Sequence, residues 1–380
     1  KKTIMKRSSQ YDVAVIGAGI VGLSIAYTAA QQNKRVIVFE KHPKAGGASV
    51  RNFGMIWPIG QPHGENRNRA LASREIWKKI TTEAGIWMVE NGSLHLAYHD
   101  DEMQVLEEFV QSESDNDSLK LITPKEVDQY NSIVKKEGLK GALWSDTEML
   151  VDPREATGKL PEFLQKKYKV EFHFGTAITH VDGKYLYSFD NQWIAKEVYV
   201  CSGSDFETLY PDVFKNTEIT KCKLQMMRGE IPNEKKHMGA SLCAGLTLGH
   251  YASFAQCPTL KEVVARYDKE NILYKKYGIH VLLSQNGNGE FSIGDSHEYG
   301  WEMMPFDKTE INELILNYLH SFTNLQNLKI TERWNGVYPK LPGQSFLIEK
   351  PQSEVIIVNA LGGAGMTLSF GLAAEILQKI

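Results

Sequence analysis

The feature that most constrains the fold is a glycine-rich hexapeptide, Gly17-Ala18-Gly19-Ile20-Val21-Gly22, which separates two apolar segments. Residues 11–17 are rich in β-formers, and residues 20–31 are Ala-rich with helical spacing. A second apolar run, residues 34–40, follows. This order predicts a βαβ unit whose glycines permit a tight turn and bring a pyrophosphate to the helix N-terminus.

Glu40 strengthens this interpretation because it ends the second predicted strand, 18 residues beyond Gly22. A carboxylate there accepts hydrogen bonds from an adenosine ribose and would repel a phosphate on it. The pattern therefore favours FAD or NAD over NADP. The alternative is an ordinary glycine turn beside a solvated glutamate.

A second glycine turn, Leu361-Gly362-Gly363-Ala364-Gly365-Met366-Thr367, opens the last predicted helix. Backbone N–H groups and the positive end of a helix stabilise a developing anion. The N1–C2=O edge of a reduced flavin suits that arrangement. A helix cap with glycines for close packing is the alternative.

Composition excludes several classes of protein. The chain has 43 Lys and Arg against 46 Asp and Glu, a net charge of −3, which is unlike a polybasic nucleic-acid or lipid-headgroup binder. Four cysteines without a CxxC pair indicate a reducing compartment, and no metal-ligand cluster stands out by spacing. Residues 11–30 contain Asp12 and three glycines, which disfavours a membrane span. We expect a cytoplasmic protein without bound metal, nucleic-acid partner or membrane span.

From about residue 11 to 376 the chain resembles the D-amino-acid-oxidase-type flavoproteins, which include glycine oxidase and monomeric sarcosine oxidase. The resemblance rests on the first glycine turn, Glu40, residues 46–49, residues 198–203 and the second glycine turn. The chain is more closely similar to a subgroup of oxidoreductases associated with phosphonate use. The strings that carry this closer similarity are ASVRNFGMIWPIGQ (48–61), AGIWMVENGSLHLA (84–97), CKLQMMR (222–228), YGIH (277–280), GDSHEY (294–299) and GGAGMTLSF (362–370).

The resemblance implies an α/β fold in which a doubly wound FAD-binding domain is interleaved with an α+β substrate domain built on an antiparallel sheet. We predict that residues 10–90, 145–220 and 330–380 form the FAD-binding domain. Residues 91–144 and 221–329 then form the substrate domain. The implied reaction is oxidation of a C–N bond, in which hydride passes to flavin N5 and water hydrolyses the resulting imine.

The motifs and the resemblance together assign a set of residues to FAD. They are Gly17, Gly19, Ile20, Gly22, Glu40, Lys41, Gly47, Ala48, Ser49, Arg51, Asn52, Ser202, Gly203, Gly363, Gly365, Met366 and Thr367. Sarcosine oxidase-like enzymes attach FAD through a late cysteine, whereas this chain has no cysteine after Cys257. We therefore predict non-covalent FAD.

The resemblance also implies catalytic candidates around the substrate: Arg51, His63, Arg228, Tyr251, His297 and Tyr338, with His280 on the same pocket roof. Each of these residues could instead have a purely structural role. Arg51 could be a surface ion-pair residue, and His63 could be an exposed loop histidine. Tyr338 stands where glycine oxidase-like sequences carry a carboxylate-binding arginine. This departure favours an aminophosphonate or its N-alkyl form over plain amino acids.

Other functions remain open at this point. The expected substrate is a small amine, and glycine, sarcosine or a D-amino acid is the alternative to an aminophosphonate. Either O2 or an electron carrier is expected to reoxidise the flavin. An NAD-dependent dehydrogenase would share the βαβ unit but gives no reason for the second glycine turn. A flavin-binding module without turnover is the candidate from another class.

Overall fold

The computed structural model describes residues 10–113, 117–189, 191–232 and 237–378. Its strands are β1 (Gln10–Ile16), β2 (Val36–Glu40), β3 (Met55–Ile56), β4 (Met88–Val89), β5 (Ser93–Ala97), β6 (Leu119–Ile122), β7 (Gly141–Ser145), β8 (Met149–Val151), β9 (Glu171–Phe174), β10 (His180–Asp182), β11 (Tyr185–Ser188), β12 (Asn191–Val200), β13 (Thr220–Glu230), β14 (Ser241–Ala244), β15 (Leu282–Gln285), β16 (Phe291–Gly294), β17 (Glu298–Gly300), β18 (Lys329–Lys340), β19 (Leu347–Gln352) and β20 (Val355–Asn359). Its helices are α1 (Ile20–Gln31), α2 (Glu65–Ala84), α3 (Asp100–Ser112), α4 (Pro153–Tyr168), α5 (Pro211–Lys215), α6 (Leu260–Glu270), α7 (Ile272–Lys276), α8 (Thr309–Phe322) and α9 (Gly365–Gln378).

The first sheet has a parallel centre with strand order β9-β2-β1-β12-β20. Strand β19 and the β10–β11 hairpin add antiparallel neighbours. Val13 and Val15 pack into the core on one face, and Ala14 and Ile16 pack into the core on the other. Burial on both faces explains the unbroken apolar run of β1. The predicted α/β class is confirmed.

Helices α1, α2, α4 and α9 pack together on one side of this sheet. Trp77 of α2 and Phe370 of α9 meet edge to face with ring centroids 4.9 Å apart. Gln32, just after α1, donates through Nε2 to the Leu377 carbonyl at 3.2 Å across 345 residues of sequence. The first and last described helices therefore lie side by side.

The second sheet has nine strands in the described ranges, in the order β17-β13-β16-β15-β14-β5-β7-β6, with β18 on the other edge of β13. Its pairings are antiparallel except for β14 with β5. Met227 of β13 packs in one core with Ile311 and Ile315 of α8, whereas Met226 lines a cavity. One face of this sheet is thus core, and the other bounds the cavity.

The position of strand β18 differs from the predicted domain division, in which residues 330–380 belong to the FAD-binding domain. It pairs with β13 from Thr220 opposite Lys340 to Glu230 opposite Lys329. Eleven residues of β13 thereby gain an antiparallel neighbour, which places β18 in the second sheet. The boundaries elsewhere stay a prediction. Strands β3, β8 and β4 form a separate small sheet.

Among the described helices, none has both the length and the apolar character that crossing a membrane requires.

Candidate functional site

A cavity of about 770 Å³ runs between the two large sheets. It is lined at one side by the first glycine turn and Glu40, and at the other by histidines and tyrosines of the second sheet. Such a volume is typical of a small-molecule or cofactor site. We call the first part the nucleotide end. The polar end is defined by His250, Tyr251, His280, Asp295, His297, Tyr338 and Lys340.

The turn from β1 to α1 requires its glycines. Gly17 has φ +107°, and a Cβ on it would lie 2.3 Å from the Cys201 carbonyl oxygen. A Cβ on Gly22 would lie 1.9 Å from the Gly17 carbonyl oxygen. Only glycine lets β1, β12 and α1 approach this closely, so the turn exposes the N-terminus of α1 to the cavity.

Glu40 stands at the carboxyl end of β2, where the sequence predicts a ribose ligand. Its Oε2 accepts from the Ala18 N–H at 3.0 Å, and its Oε1 accepts from the His42 N–H at 3.0 Å. These bonds fix the carboxylate against the cavity, and each oxygen keeps a lone pair for a ligand hydroxyl. Nearby Lys41 is held by Asp205 at 2.6 Å.

The segment predicted to pass the flavin is tied to the first turn. Ser49 Oγ accepts from the Ile20 N–H at 2.8 Å, which caps α1. Arg51 donates through Nε to the Gly46 carbonyl at 2.9 Å and through Nη1 to the Asn335 carbonyl at 3.0 Å. Arg51 therefore lines the cavity while two of its donors are engaged by backbone.

The second glycine turn leads into α9, whose first residues line the cavity. Thr367 Oγ1 accepts from the Trp57 N–H at 2.9 Å, and the Met366 carbonyl accepts from Trp77 Nε1 at 2.8 Å. These contacts fix the start of the helix, so its positive end is held in place beside the cavity.

The residues present fit FAD. Ser202 Oγ and Trp57 Nε1 are buried beside the cavity without a hydrogen-bond partner in the described structure. Gly203 and Gly362 have φ +57° and +58°, and a Cβ on either would enter open space. All the predicted FAD residues line the cavity except Gly22, which shapes the turn. Unpaired polar atoms beside open glycine backbone suit a large ligand with many acceptors.

The polar end brings together three histidines. The rings of His250 and His280 stack with centroids 3.7 Å apart and planes 18° apart. The centroid of His297 lies 4.6 Å from that of His250 and 5.2 Å from that of His280. The ring Nδ1 of His297 donates to the Gly278 carbonyl at 2.9 Å, which leaves Nε2 as an acceptor.

Burial determines the charge of these groups. It lowers the pKa of His297 to about 4, and it lowers the pKa of His250 well below its usual value, with the neighbouring histidines and Lys340 acting in the same direction. Burial also raises the pKa of Tyr251 and Tyr338 well above the usual value. Near neutral pH these four side chains are uncharged and act as hydrogen-bonding groups.

The same histidines resemble a metal site by proximity, since His250, His280 and His297 each offer a ring nitrogen within 4.8 Å of the others. Imidazole binds a metal through a lone pair in the ring plane. Because two of the rings stack almost face to face, their in-plane lone pairs run side by side and do not converge. The arrangement favours hydrogen bonding, and the expected absence of metal stays a prediction.

Two charged groups complete the polar end. Asp295 is the one carboxylate among the described residues that line it, and its Oδ1 lies 3.0 Å from Nε2 of His280. Lys340 has its Nζ 3.4 Å from the Tyr299 hydroxyl, and none of the carboxylates in the described ranges pairs with it. The polar end thus offers one anion and one cation among neutral donors.

Of the six catalytic candidates, Arg51, Tyr251, His297 and Tyr338 line the cavity. His63 and Arg228 do not. The His63 side chain is 76% exposed and lies 3.4 Å from Glu113. Arg228 is buried farther along β13 in an ion pair with Glu290 at 3.3 Å.

Sequence reasoning left out His250, Asp295 and Lys340. These residues belong to three separate chain segments and share no local motif. Asp295 does lie within the string GDSHEY, and Lys340 follows Tyr338 by two residues, which places both side chains on one face of β18. The two-residue spacing between Tyr338 and Lys340 was therefore the sequence feature that could have identified Lys340.

A family model described as "DAO: FAD dependent oxidoreductase" matches residues 12–379. A glycerol 3-phosphate dehydrogenase from Caloramator mitchellensis is 24% identical over 369 residues, 93% of this chain and 69% of that protein. L-proline dehydrogenase from P. horikoshii has a TM-score of 0.80 at 21% identity, covering 98% of this chain and 94% of its own. Glycine oxidase from Geobacillus kaustophilus has a TM-score of 0.77 at 17% identity, with 98% and 94% covered. Because the family model spans nearly the whole chain, the protein belongs to the DAO family of FAD-dependent oxidoreductases.

Proposed function

We propose that this FAD-dependent oxidoreductase oxidises a carbon next to nitrogen, and that its substrate is an aminophosphonate or an N-alkyl aminophosphonate. When bound, FAD supplies the hydride acceptor. The observation that carries the proposal is the polar end of the cavity, where Asp295 and Lys340 stand among the uncharged side chains of His250, His297, Tyr251 and Tyr338. A substrate with separate ammonium and anionic groups complements that pattern.

The amine part of the proposal rests on Asp295. A buried carboxylate attracts an ammonium group, because burial makes an unpaired charge costly. No Lys or Arg among the described residues forms an ion pair with Asp295, whose contact is His280 at 3.0 Å. Two of the structurally similar proteins, L-proline dehydrogenase and glycine oxidase, carry the names of nitrogen-containing substrates. The imine product would be hydrolysed by water, and O2 or an electron carrier would take up the electrons.

The anion part rests on Tyr338 and Lys340. Arg51, the guanidinium at the cavity, donates to two backbone carbonyls, so no free bidentate clamp for a planar carboxylate stands here among the described lining residues. A phosphonate is tetrahedral and offers three oxygens, which several separate donors can share. The Lys340 ammonium and the buried Tyr338 phenol are such donors. This arrangement supports the phosphonate-associated subgroup suggested by the sequence strings.

A second candidate is oxidation of a phosphorylated alcohol, which the likeness to a glycerol 3-phosphate dehydrogenase over 93% of the chain favours. That substrate shares the tetrahedral anion but lacks an ammonium group. Asp295 would then have no cationic partner, which makes this the weaker fit to the polar end.

Anaerobic bleaching of the flavin tests the proposal. The panel is 2-aminoethylphosphonate, its N-methyl form, glycine, sarcosine, D-alanine and glycerol 3-phosphate. We expect kcat/KM for an aminophosphonate to exceed that for glycine, sarcosine or D-alanine at least tenfold, or about 1.4 kcal/mol. Equal or faster reduction by glycine or sarcosine would overturn the phosphonate assignment. Reduction by glycerol 3-phosphate alone would overturn amine oxidation.

A further inference from the structure

We infer that Asp295 and His280 form an acid–base pair that binds the ammonium group of the substrate and takes one proton from it before the hydride leaves. The inference deepens the proposed function and rests on it. Sequence spacing gave no acid–base pair, because residues 280 and 295 lie 15 positions apart, one before β15 and the other just after β16.

The backbone holds the pair in register. The His280 N–H donates to the Asp295 carbonyl at 3.3 Å, and the Asp295 N–H donates to the His280 carbonyl at 2.8 Å. Residues that exchange both backbone bonds send their side chains to the same face of a sheet. That face lines the cavity, where His280 and Asp295 are 3% and 5% exposed. The side-chain approach of 3.0 Å follows from this pairing.

The pair has unused hydrogen-bonding capacity. Although both groups are buried, Nδ1 of His280 has no hydrogen-bond partner in the described part of the chain, and Oδ1 of Asp295 has none besides its 3.0 Å approach to Nε2 of His280. Buried polar atoms are nearly always satisfied in folded proteins. An ammonium donor and one additional proton would satisfy the carboxylate and the imidazole together.

The chemistry requires a proton acceptor at this place. An ammonium nitrogen has no lone pair, and a C=N bond forms from that lone pair as hydride departs from carbon. A proton must therefore leave first. Asp295 is the carboxylate of the polar end, and the imidazole beside it is ordinarily a stronger base than a carboxylate.

The step is balanced within the pair and the substrate. One N–H bond of the ammonium group breaks, and its electron pair stays on the amine nitrogen. An N–H bond forms at the unpartnered Nδ1 of His280, and the resulting imidazolium stays paired through Nε2 with the Asp295 carboxylate. The neutral amine is then ready for oxidation, and the pair returns its proton to water after product leaves.

The groups around the pair are mostly uncharged. Those that face it from the packed segments are His250, Tyr251, His297, Tyr299, Tyr338, Cys222 and Lys340. Desolvation keeps His250 and His297 neutral near pH 7 and keeps the phenols and the thiol protonated. Lys340 is the cation among them.

The first test is the pH profile of kcat/KM for the best amine. Asp295→Asn and His280→Gln keep the approximate shape of each side chain but remove the base. We expect about a hundredfold loss at pH 7, as general-base catalysis is worth roughly 10²–10⁴ in rate. The loss should shrink steadily towards pH 10, where the substrate is already neutral. His320→Gln, an exposed histidine on α8, is the matched control with an unchanged profile.

The second test needs no turnover. (2-Amino-2-methylpropyl)phosphonate has no hydrogen on the carbon next to nitrogen, so it binds without being oxidised. Calorimetry in two buffers of different ionisation enthalpy counts the protons exchanged on binding. The parent protein should exchange almost none, because the pair keeps the proton. Asp295→Asn should release close to one proton to buffer and bind at least tenfold more weakly.

The outcomes separate the inference from the proposed function. A pH profile and proton count that match the parent in both variants, each folded with full FAD content, would overturn the acid–base pair. If one variant fails to fold, the other decides by the same two readings. If no amine bleaches the flavin and the parent does not bind the probe, the proposed function itself fails.

Discussion

The two ends of the cavity are made in different ways. The nucleotide end is built mainly from backbone: glycines, the N-termini of α1 and α9, and the N–H groups of Ala18 and His42, which donate to the Glu40 carboxylate. The polar end is built from side chains that converge from distant strands and turns. Backbone chemistry leaves a continuous signature in sequence, whereas side-chain convergence appears only after folding.

The difference also concerns charge. At the nucleotide end, charged groups such as Lys41 and Asp205 pair with each other near the surface. At the polar end, burial keeps His250 and His297 neutral, and Asp295 and Lys340 are isolated from other ion pairs among the described residues. Cofactor affinity and substrate selectivity thus depend on separate sets of residues. Mutations can therefore change one of these properties without changing the other.

The largest expected effect is complete release of the flavin on acid precipitation. If neither end of the cavity forms a covalent bond to FAD, all yellow colour should move to the supernatant. The four cysteines are buried and reduced, and burial raises the pKa of the cavity residue Cys201 to about 12, which opposes thiolate formation. Colour retained in the pellet would contradict non-covalent binding.

Gly22→Ala should come next, because its Cβ would lie 1.9 Å from the Gly17 carbonyl oxygen. Backbone at that distance has to move, so we expect a loss of about 3 kcal/mol or more in unfolding free energy together with lost FAD binding. Gly158→Ala in α4 is the matched control, since nothing lies within 4 Å of its Cβ. It should stabilise by about 0.5–1 kcal/mol. Denaturation curves and flavin content decide, and equal behaviour of the two variants would refute the argument.

Glu40→Arg should weaken FAD binding by about 1.5–3 kcal/mol, because it replaces a charge-assisted acceptor with a donor. The polar end should be unaffected, so saturating FAD should restore the substrate KM. Titration of the apoprotein with FAD measures the affinity, and Glu349→Arg at an exposed site of β19 is the control. Unchanged affinity in a folded variant would remove Glu40 from the ribose.

Lys340→Gln should have the smallest effect of these variants, and it should act at the polar end and not at the nucleotide end. We expect KM for an aminophosphonate to rise about tenfold, or about 1.4 kcal/mol, with FAD affinity unchanged. An amine without an anionic group should lose nothing, and Lys350→Gln on β19 should match the parent. A similar rise in KM for both substrates would show that Lys340 does not bind the anion.

Much of the nucleotide end could be predicted because each of its features is local. Helix α1 was predicted at its observed bounds, Ile20–Gln31. Glu40 was identified by its distance from the glycine turn. These features depend on neighbours in sequence, on apolar periodicity and on φ angles that only glycine adopts readily.

The polar end could be predicted only in part. Tyr251, His297 and Tyr338 were reached through the family resemblance, but His63 and Arg228 lie outside the cavity. Arg228 shares a face of β13 with the cavity residue Met226 but lies two residues farther along the strand. There it forms an ion pair with Glu290 outside the cavity. Asp295 was missed because its role depends on the pairing of two strands, which no residue spacing encodes.

The packing of α9 against α1 has a consequence for biosynthesis. Gln32 and Leu377 are joined by a hydrogen bond across 345 residues, and the start of α9 closes the cavity opened by the first glycine turn. A ribosome therefore releases the first βαβ unit long before the helix that completes the flavin pocket has been translated. Capture of FAD must be a late event, and the nascent chain has to remain soluble with its cofactor site half built.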